Sequence, residues 1–191
     1  DPFIVLDDAI IEKAAEGAVK GRFINCGQSC VASKRFFVGK NIAKDFIELF
    51  IKKASQLKVG DPTLIETDIG PLSSKGGLET ISGIVEDAKK KGAEILLGGS
   101  QIDGKGYFYQ PTILTNVKPD MRIAKEETFG PVAPITIVEN ESDAVRLAND
   151  TEFGLGASIW TKDLAKAEKI SRRIESGIVS VNNVVISDPR I

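Results

Sequence analysis

The sequence predicts an α/β fold, an open, largely parallel, twisted sheet flanked by helices. Segments with apolar residues at helical spacing alternate with short runs rich in Val, Ile and Phe. Glycine-bearing turns separate these segments, and no internal repeat or low-complexity linker interrupts them. Strands that are apolar at successive positions between helices are buried on both faces, which is the pattern of parallel sheets. A chain of 191 residues suits one domain or a little more. At that size roughly 70% of the unfolded surface is hidden on folding, enough for a full core.

Taken in order, the first helix is expected over residues 8–23, with Ile10, Ile11, Ala14, Ala15, Ala18, Val19 and Phe23 on one face. Asp7 or Asp8 is placed to cap it by accepting from first-turn N–H groups. Arg35-Phe36-Phe37-Val38 reads as a buried strand ended by Gly39. A second helix carries Ile42, Phe46, Ile47, Phe50, Ala54 and Leu57, and Gly60-Asp61-Pro62 stops it before an irregular stretch to Pro71. Ser73 or Ser74 begins a third helix whose Leu78, Ile81, Ile84, Val85 and Ala88 face inward. Gly92 ends that helix, and residues 94–97 form a short strand. Turns at Gly98-Gly99, Gly104 and Gly106 precede the apolar segments 107–109 and 111–114. The rest alternates regularly: strand 132–138, helix 142–149, strand 156–160, helix 164–174 and strand 177–181. In such a sheet, function is expected where strands meet glycine-bearing loops.

Composition excludes several classes of partner. Net charge is −2 with acids and bases intermixed, so neither nucleic acid nor anionic lipid is expected. No apolar stretch approaches the ~20 residues that span a bilayer. With no histidine, a Ser-His-Asp or Cys-His pair within the chain is excluded, and two cysteines without histidine make no zinc site, so no metal is expected. Two cysteines four residues apart give no disulfide framework, and a reducing, cytoplasmic setting is expected. The chain opens inside an apolar run, Asp1-Pro2-Phe3-Ile4-Val5-Leu6, without initiator Met or signal peptide, and ends at Ile191 without a tail. Both ends are expected to be cuts from a longer protein.

Two segments carry candidate chemistry. In Phe23-Ile24-Asn25-Cys26-Gly27-Gln28-Ser29-Cys30, Gly27 permits a sharp turn between a helix and a buried strand. N–H groups near Ser29 and Cys30 that converge there favour a thiolate and an oxyanion. The bland alternative is a cysteine buried as a small hydrophobe, which suits Cys26. In Lys125-Glu126-Glu127-Thr128-Phe129-Gly130-Pro131 the bland reading is a solvated acidic turn beside a core Phe. The functional reading is a carboxylate held at a strand start, able to accept from two ribose hydroxyls.

The cysteine segment resembles the aldehyde dehydrogenase signature Phe-x-Asn-x-Gly-Gln-x-Cys at every fixed place, and Glu127-Thr128-Phe129-Gly130-Pro131 resembles that family's Glu-x-Phe-Gly-Pro motif. The resemblance runs through Gly70-Pro71-Leu72, Gly98-Gly99, the segment 109–114, the segment 148–155 and the element 177–182. It implies a Rossmann-like catalytic domain covering residues 1–191. By the family's mechanism Cys30 attacks an aldehyde to give a thiohemiacetal, hydride passes to a nicotinamide, and water releases the acid from a thioester. Glu127 would hold the nicotinamide ribose and Phe129 would pack beside the ring. Asn182 is expected to be a structural hydrogen-bonder near the site.

The likeness is strongest to the succinate-semialdehyde dehydrogenase branch, on the runs 27–36, 148–155 and 187–190. A substrate with a distal carboxylate wants a cation in its pocket, and Arg190 is the candidate; Arg22 is given no such role. The resemblance further implies a small aldehyde substrate, NAD or NADP as cofactor, and a homo-oligomeric parent. Several family parts fall outside this sequence: the general-base Glu of a Glu-Leu-Gly-Gly segment, the oxyanion-hole Asn, the nucleotide-binding domain and the oligomerisation strand. Gly154-Leu155-Gly156 precedes a strand and is no dinucleotide fingerprint. A ribose-holding Gln and Lys common in the family fall on Gly77 and Thr80, and their role is not transferred. The isolated chain is therefore expected to be inactive as a dehydrogenase. Two other readings stay open, a cysteine-dependent esterase or acyl-transfer domain and a non-catalytic interaction module.

Overall fold

The apolar run that opens the chain is the middle of the sheet. In a computed structural model, which describes residues 1–187, Pro2–Val5 form strand β1, buried at each position. It pairs in parallel with β2 (Arg35–Gly39) on one side and β6 (Gly156–Trp160) on the other. Four consecutive apolar residues carry no period that distinguishes a strand from an irregular segment. Their partners, 33 and 155 residues downstream, supply the distinction.

Among the described residues the sheet has seven strands in the order β3-β4-β5-β2-β1-β6-β7. The remaining strands are β3 (Glu94–Leu97), β4 (Thr112–Thr115), β5 (Val132–Val138) and β7 (Ile178–Val181). Every pairing is parallel except β3 with β4, which is antiparallel at one edge. The expected open, largely parallel sheet is what forms.

Alternating residues of the central strands feed two cores. Phe3, Phe36, Val38 and Ile135 pack beneath α1 (Ile11–Phe23), α2 (Ala43–Ala54) and α3 (Lys75–Lys90). Ile4, Phe37 and Ile159 pack on the other side with α5 (Glu141–Asn149) and α6 (Leu164–Ser171). Phe3, Phe36 and Phe50 form a continuous aromatic contact, with ring centroids 5.0 and 5.4 Å apart. Each such ring removed from water contributes roughly 1.5–3 kcal/mol. Gly17 lets Trp160 of β6 lie against α1, because a Cβ there would run into the indole ring.

Several expectations are corrected. Neither Asp7 nor Asp8 caps α1; its N-cap is Ile10, with no side-chain hydrogen bond. Asp8 instead accepts from Thr161 Oγ1 at 2.7 Å and from the N–H groups of Lys162 and Asp163, closing the turn between β6 and α6. Asp7 accepts from Asn41 after β2. Both carboxylates sit beyond a strand end, where free N–H groups of neighbouring turns compete successfully with the helix. A short helix α4 (Arg122–Lys125) lies in a stretch to which the sequence assigned no element. Ser74 is the serine that caps α3, accepting from the Gly77 N–H at 3.1 Å.

Candidate active site

The last turn of α1 runs into a turn, Ile24–Gly27, in which three successive residues are left-handed: Asn25 (φ 51), Cys26 (φ 55) and Gly27 (φ 69). Asn and Gly tolerate that region, whereas Cys26 is held there at a steric cost. The Asn25 side-chain amide donates to the Gln28 carbonyl at 2.9 Å. Gln28 in turn accepts from the Ser73 N–H at 2.9 Å, tying the loop to the segment after Gly70-Pro71. The outcome is that Cys26 points inward, 3% exposed, while Cys30 is exposed. Burial pushes the Cys26 thiol up to about 11, with the Arg22 guanidinium pulling the other way. Among the described residues, the N–H groups of Ser29 and Cys30 donate to no protein acceptor.

Arg22 has a structural role that the sequence did not announce as such. It is fully buried at the end of α1. Its guanidinium donates to the carbonyls of Ser33 (2.9 Å), Gly27 (3.2 Å), Thr128 (3.0 Å) and Gly130. A planar five-donor fork suits several carbonyls at once. It joins the cysteine loop to the Glu127–Gly130 segment through main-chain atoms. Burial pushes Arg22 down to about 10, against the opposing pull of Cys26 and Glu127. The sequence did contain a signal, for Ala14, Ala18 and Arg22 follow one another at i, i+4 along the buried stripe.

The acidic pair before Phe129 divides. Glu126 turns back to Arg122 of α4 in a two-point contact at 2.7 and 2.8 Å. Glu127 faces the cysteine loop, where its Oε1 lies 3.3 Å from Lys34 Nζ. Lys34 is 5% exposed and also donates to the carbonyls of Ser29 (2.6 Å) and Cys30 (3.3 Å). Its ammonium sits 4.7 Å from the Phe129 ring centroid. Burial, then the Arg22 charge, pushes Lys34 down, and Glu127 works against both.

Cys30, Lys34 and Glu127 line one cavity of about 110 Å³, with Phe153 and Leu155 on its wall. A larger groove of about 720 Å³ shares Arg35, Lys125 and Thr151 with it. All these groups precede their strands: Cys30 comes before β2, Glu127 before β5 and Leu155 before β6. The cavity therefore opens at the amino ends of the parallel strands, not at the carboxyl ends where ligands of open α/β sheets usually sit. Asn182 follows β7 at the opposite end, where its side chain exchanges hydrogen bonds with the Thr161 backbone at 3.0 and 2.9 Å. It is structural as expected, but it is not near Cys30. Arg190 lies outside the described residues.

An exposed thiol that lines one small cavity with a carboxylate and the Phe153 ring suits nucleophilic, covalent chemistry. The chain belongs to the aldehyde dehydrogenase family, which it matches over residues 1–191. It is 45% identical over its whole length to a succinate semialdehyde dehydrogenase of Escherichia coli named for NAD(P)+, covering 41% of that protein. It is 42% identical to an NADP(+)-named succinate-semialdehyde dehydrogenase of Mycobacterium tuberculosis, again over its whole length and 42% of that protein. The crystal structure of a succinate-semialdehyde dehydrogenase from Burkholderia pseudomallei superposes with a TM-score of 0.95 at 42% identity, over 98% of this chain and 39% of the other. The chain thus spans about two fifths of the length of its relatives.

Proposed function

We propose that residues 1–191 are the nucleophile-bearing catalytic domain of an NAD(P)-dependent aldehyde dehydrogenase that oxidises succinate semialdehyde to its acid. The observation that carries this reading is the exposed Cys30 sharing one cavity with Glu127, while Cys26 is sealed in the core. The Cys30 sulfur attacks the carbonyl carbon, and the carbonyl oxygen becomes the oxyanion of a thiohemiacetal. The unclaimed N–H groups of Ser29 and Cys30 are available to that oxyanion. Loss of hydride from the former carbonyl carbon leaves a thioester on Cys30, which water cleaves to the acid and the free thiol.

NAD or NADP, when bound, supplies the acceptor for that hydride. The residues present fit such a group. Glu127 is 36% exposed in its side chain and meets Lys34 through one oxygen, leaving the other free to accept from a ribose hydroxyl. Phe129 is 41% exposed, offering a ring face to a planar heterocycle. The same reading makes the parent protein a cytoplasmic homo-oligomer. Arg190 is its partner for the substrate's distal carboxylate.

The test uses the full-length protein that contains this chain. Cys30→Ala should abolish aldehyde oxidation while cofactor binding persists; retained turnover would remove Cys30 from the mechanism. Arg190→Gln should raise KM for succinate semialdehyde and leave KM for butanal unchanged, and equal effects on both would deny it the carboxylate. Cys30-dependent hydrolysis of an activated ester without any nicotinamide-dependent oxidation would favour an acyl-transfer domain instead.

A further inference from the structure

Lys34 is a buried cation whose contacts are divided between the two functional segments. An ammonium has three N–H donors and no acceptor. Here three oxygens surround it: the Ser29 carbonyl at 2.6 Å, the Cys30 carbonyl at 3.3 Å and Glu127 Oε1 at 3.3 Å. Two of these belong to the nucleophile segment. The third belongs to the carboxylate of the distant segment that precedes β5. The Phe129 ring, 4.7 Å away, bounds the same ammonium. Burying a lysine is costly unless the charge is paired and its protons are used, and both conditions are met here.

Arg22 forms a frame of a different kind. Its four acceptors are all main-chain carbonyls, so it fixes where the two segments run. It makes no contact with the Glu127 carboxylate among the described residues. Lys34 reaches the carboxylate itself and, through the Cys30 carbonyl, the residue that bears the nucleophile. A shift of Cys30 along its turn and a rotation of Glu127 are therefore opposed by the same side chain.

We propose that Lys34 is a positioning residue that holds the Cys30 segment and the Glu127 carboxylate at one fixed spacing, setting the approach of the thiohemiacetal carbon on Cys30 to the bound cofactor. The proposal rests on the roles given above to Cys30 and Glu127. Among the described residues the hydrogen bonds and ion pair of Lys34 reach the Ser29 and Cys30 carbonyls and the Glu127 carboxylate, not the Cys30 sulfur. Its effect runs through Glu127 and the Cys30 backbone.

A double-mutant cycle in the full-length protein tests this, with single-turnover hydride transfer to NAD(P) as the readout. Lys34→Met and Glu127→Gln should each slow that step by about ten- to a hundredfold, the scale of a sub-ångström misplacement. The double variant should be no more than about twofold slower than Glu127→Gln, because both substitutions disable one device. Losses that multiply would show a purely structural lysine and overturn the proposal, as would a Lys34→Met rate within about twofold of the parent. If Glu127→Gln alone leaves hydride transfer unchanged, the Glu127 assignment fails and takes the proposal with it. A Glu127 effect without coupling defeats the proposal alone. Should Lys34→Met not fold, Lys34→Arg replaces it in the cycle, keeping the cation while changing its reach. That loss is expected at about two- to fivefold and should vanish in the Glu127→Gln background.

Discussion

Cys26, sealed in the core, and Cys30, open to solvent, lie only four positions apart. Three successive left-handed residues, Asn25, Cys26 and Gly27, make the turn that leaves one thiol in the core and the other outside. Gly27 is the least replaceable of them. At φ 69 any side chain is strained, and a Cβ there would run into the Gly130 carbonyl and the Arg22 guanidinium. Gly27→Ala should cost on the order of 1–3 kcal/mol in stability and should also lower Cys30-dependent activity, as checked by denaturant melts and ester hydrolysis. The thiols should also part chemically. With Cys26 raised to about 11 by burial, alkylation between pH 7 and 9 should map to Cys30 alone, read by peptide mass analysis. The sign of the linkage follows. The neutral Cys26 thiol supports the fold below about 9, its value when unfolded, and that support disappears as pH rises through about 11.

At the scale of elements, short polar side chains decide which turns close. Burial alone would raise the Asp8 carboxyl. Hydrogen bonds from Thr161 Oγ1 and from the N–H groups of Asp163 and Lys162 outweigh burial and hold it below its ordinary value. A carboxyl depressed in the fold stabilises it above its unfolded value and loses that effect as pH falls through the folded value. Asp8→Asn should therefore be less stable than the parent sequence at pH 7, and the gap should close as pH drops below about 4. Urea melts of both proteins across that range provide the check, and a gap unchanged at pH 3 would remove the carboxylate from the account. The helices follow their apolar periods within a few residues. The start of α1 does not, because Asp7 and Asp8 had a choice of donors that the local sequence does not rank.

For the whole molecule, the sheet brings β2 and β5 side by side, so the loops preceding them meet although Cys30 and Glu127 are far apart in sequence. That is why the cavity opens at the amino ends of the strands. The relatives are more than twice as long as this chain, and the sequence contains no glycine-rich turn between a strand and a helix for a dinucleotide. A purified 191-residue polypeptide should accordingly show no NAD(P)-dependent turnover above background. Robust aldehyde oxidation by that polypeptide alone would overturn the division of labour proposed here.

The alternation of apolar strands with amphipathic helices announced the α/β sheet, and two short motifs marked Cys30, Glu127 and Phe129. Those features are legible because periodicity and motif spacing are properties of neighbouring residues. The placement of β1 in the centre, the amino-end position of the cavity, and the hydrogen-bond partners of Arg22 and Lys34 are not properties of that kind. A strand of four residues is defined by its partners, and a buried cation by acceptors drawn from distant segments. Lys34 is the plainest case: in sequence it is one basic residue before a strand. In the folded chain it is surrounded by the Ser29 and Cys30 carbonyls, the Glu127 carboxylate and the Phe129 ring, because parallel pairing of β2 with β5 brings two loops to one ammonium.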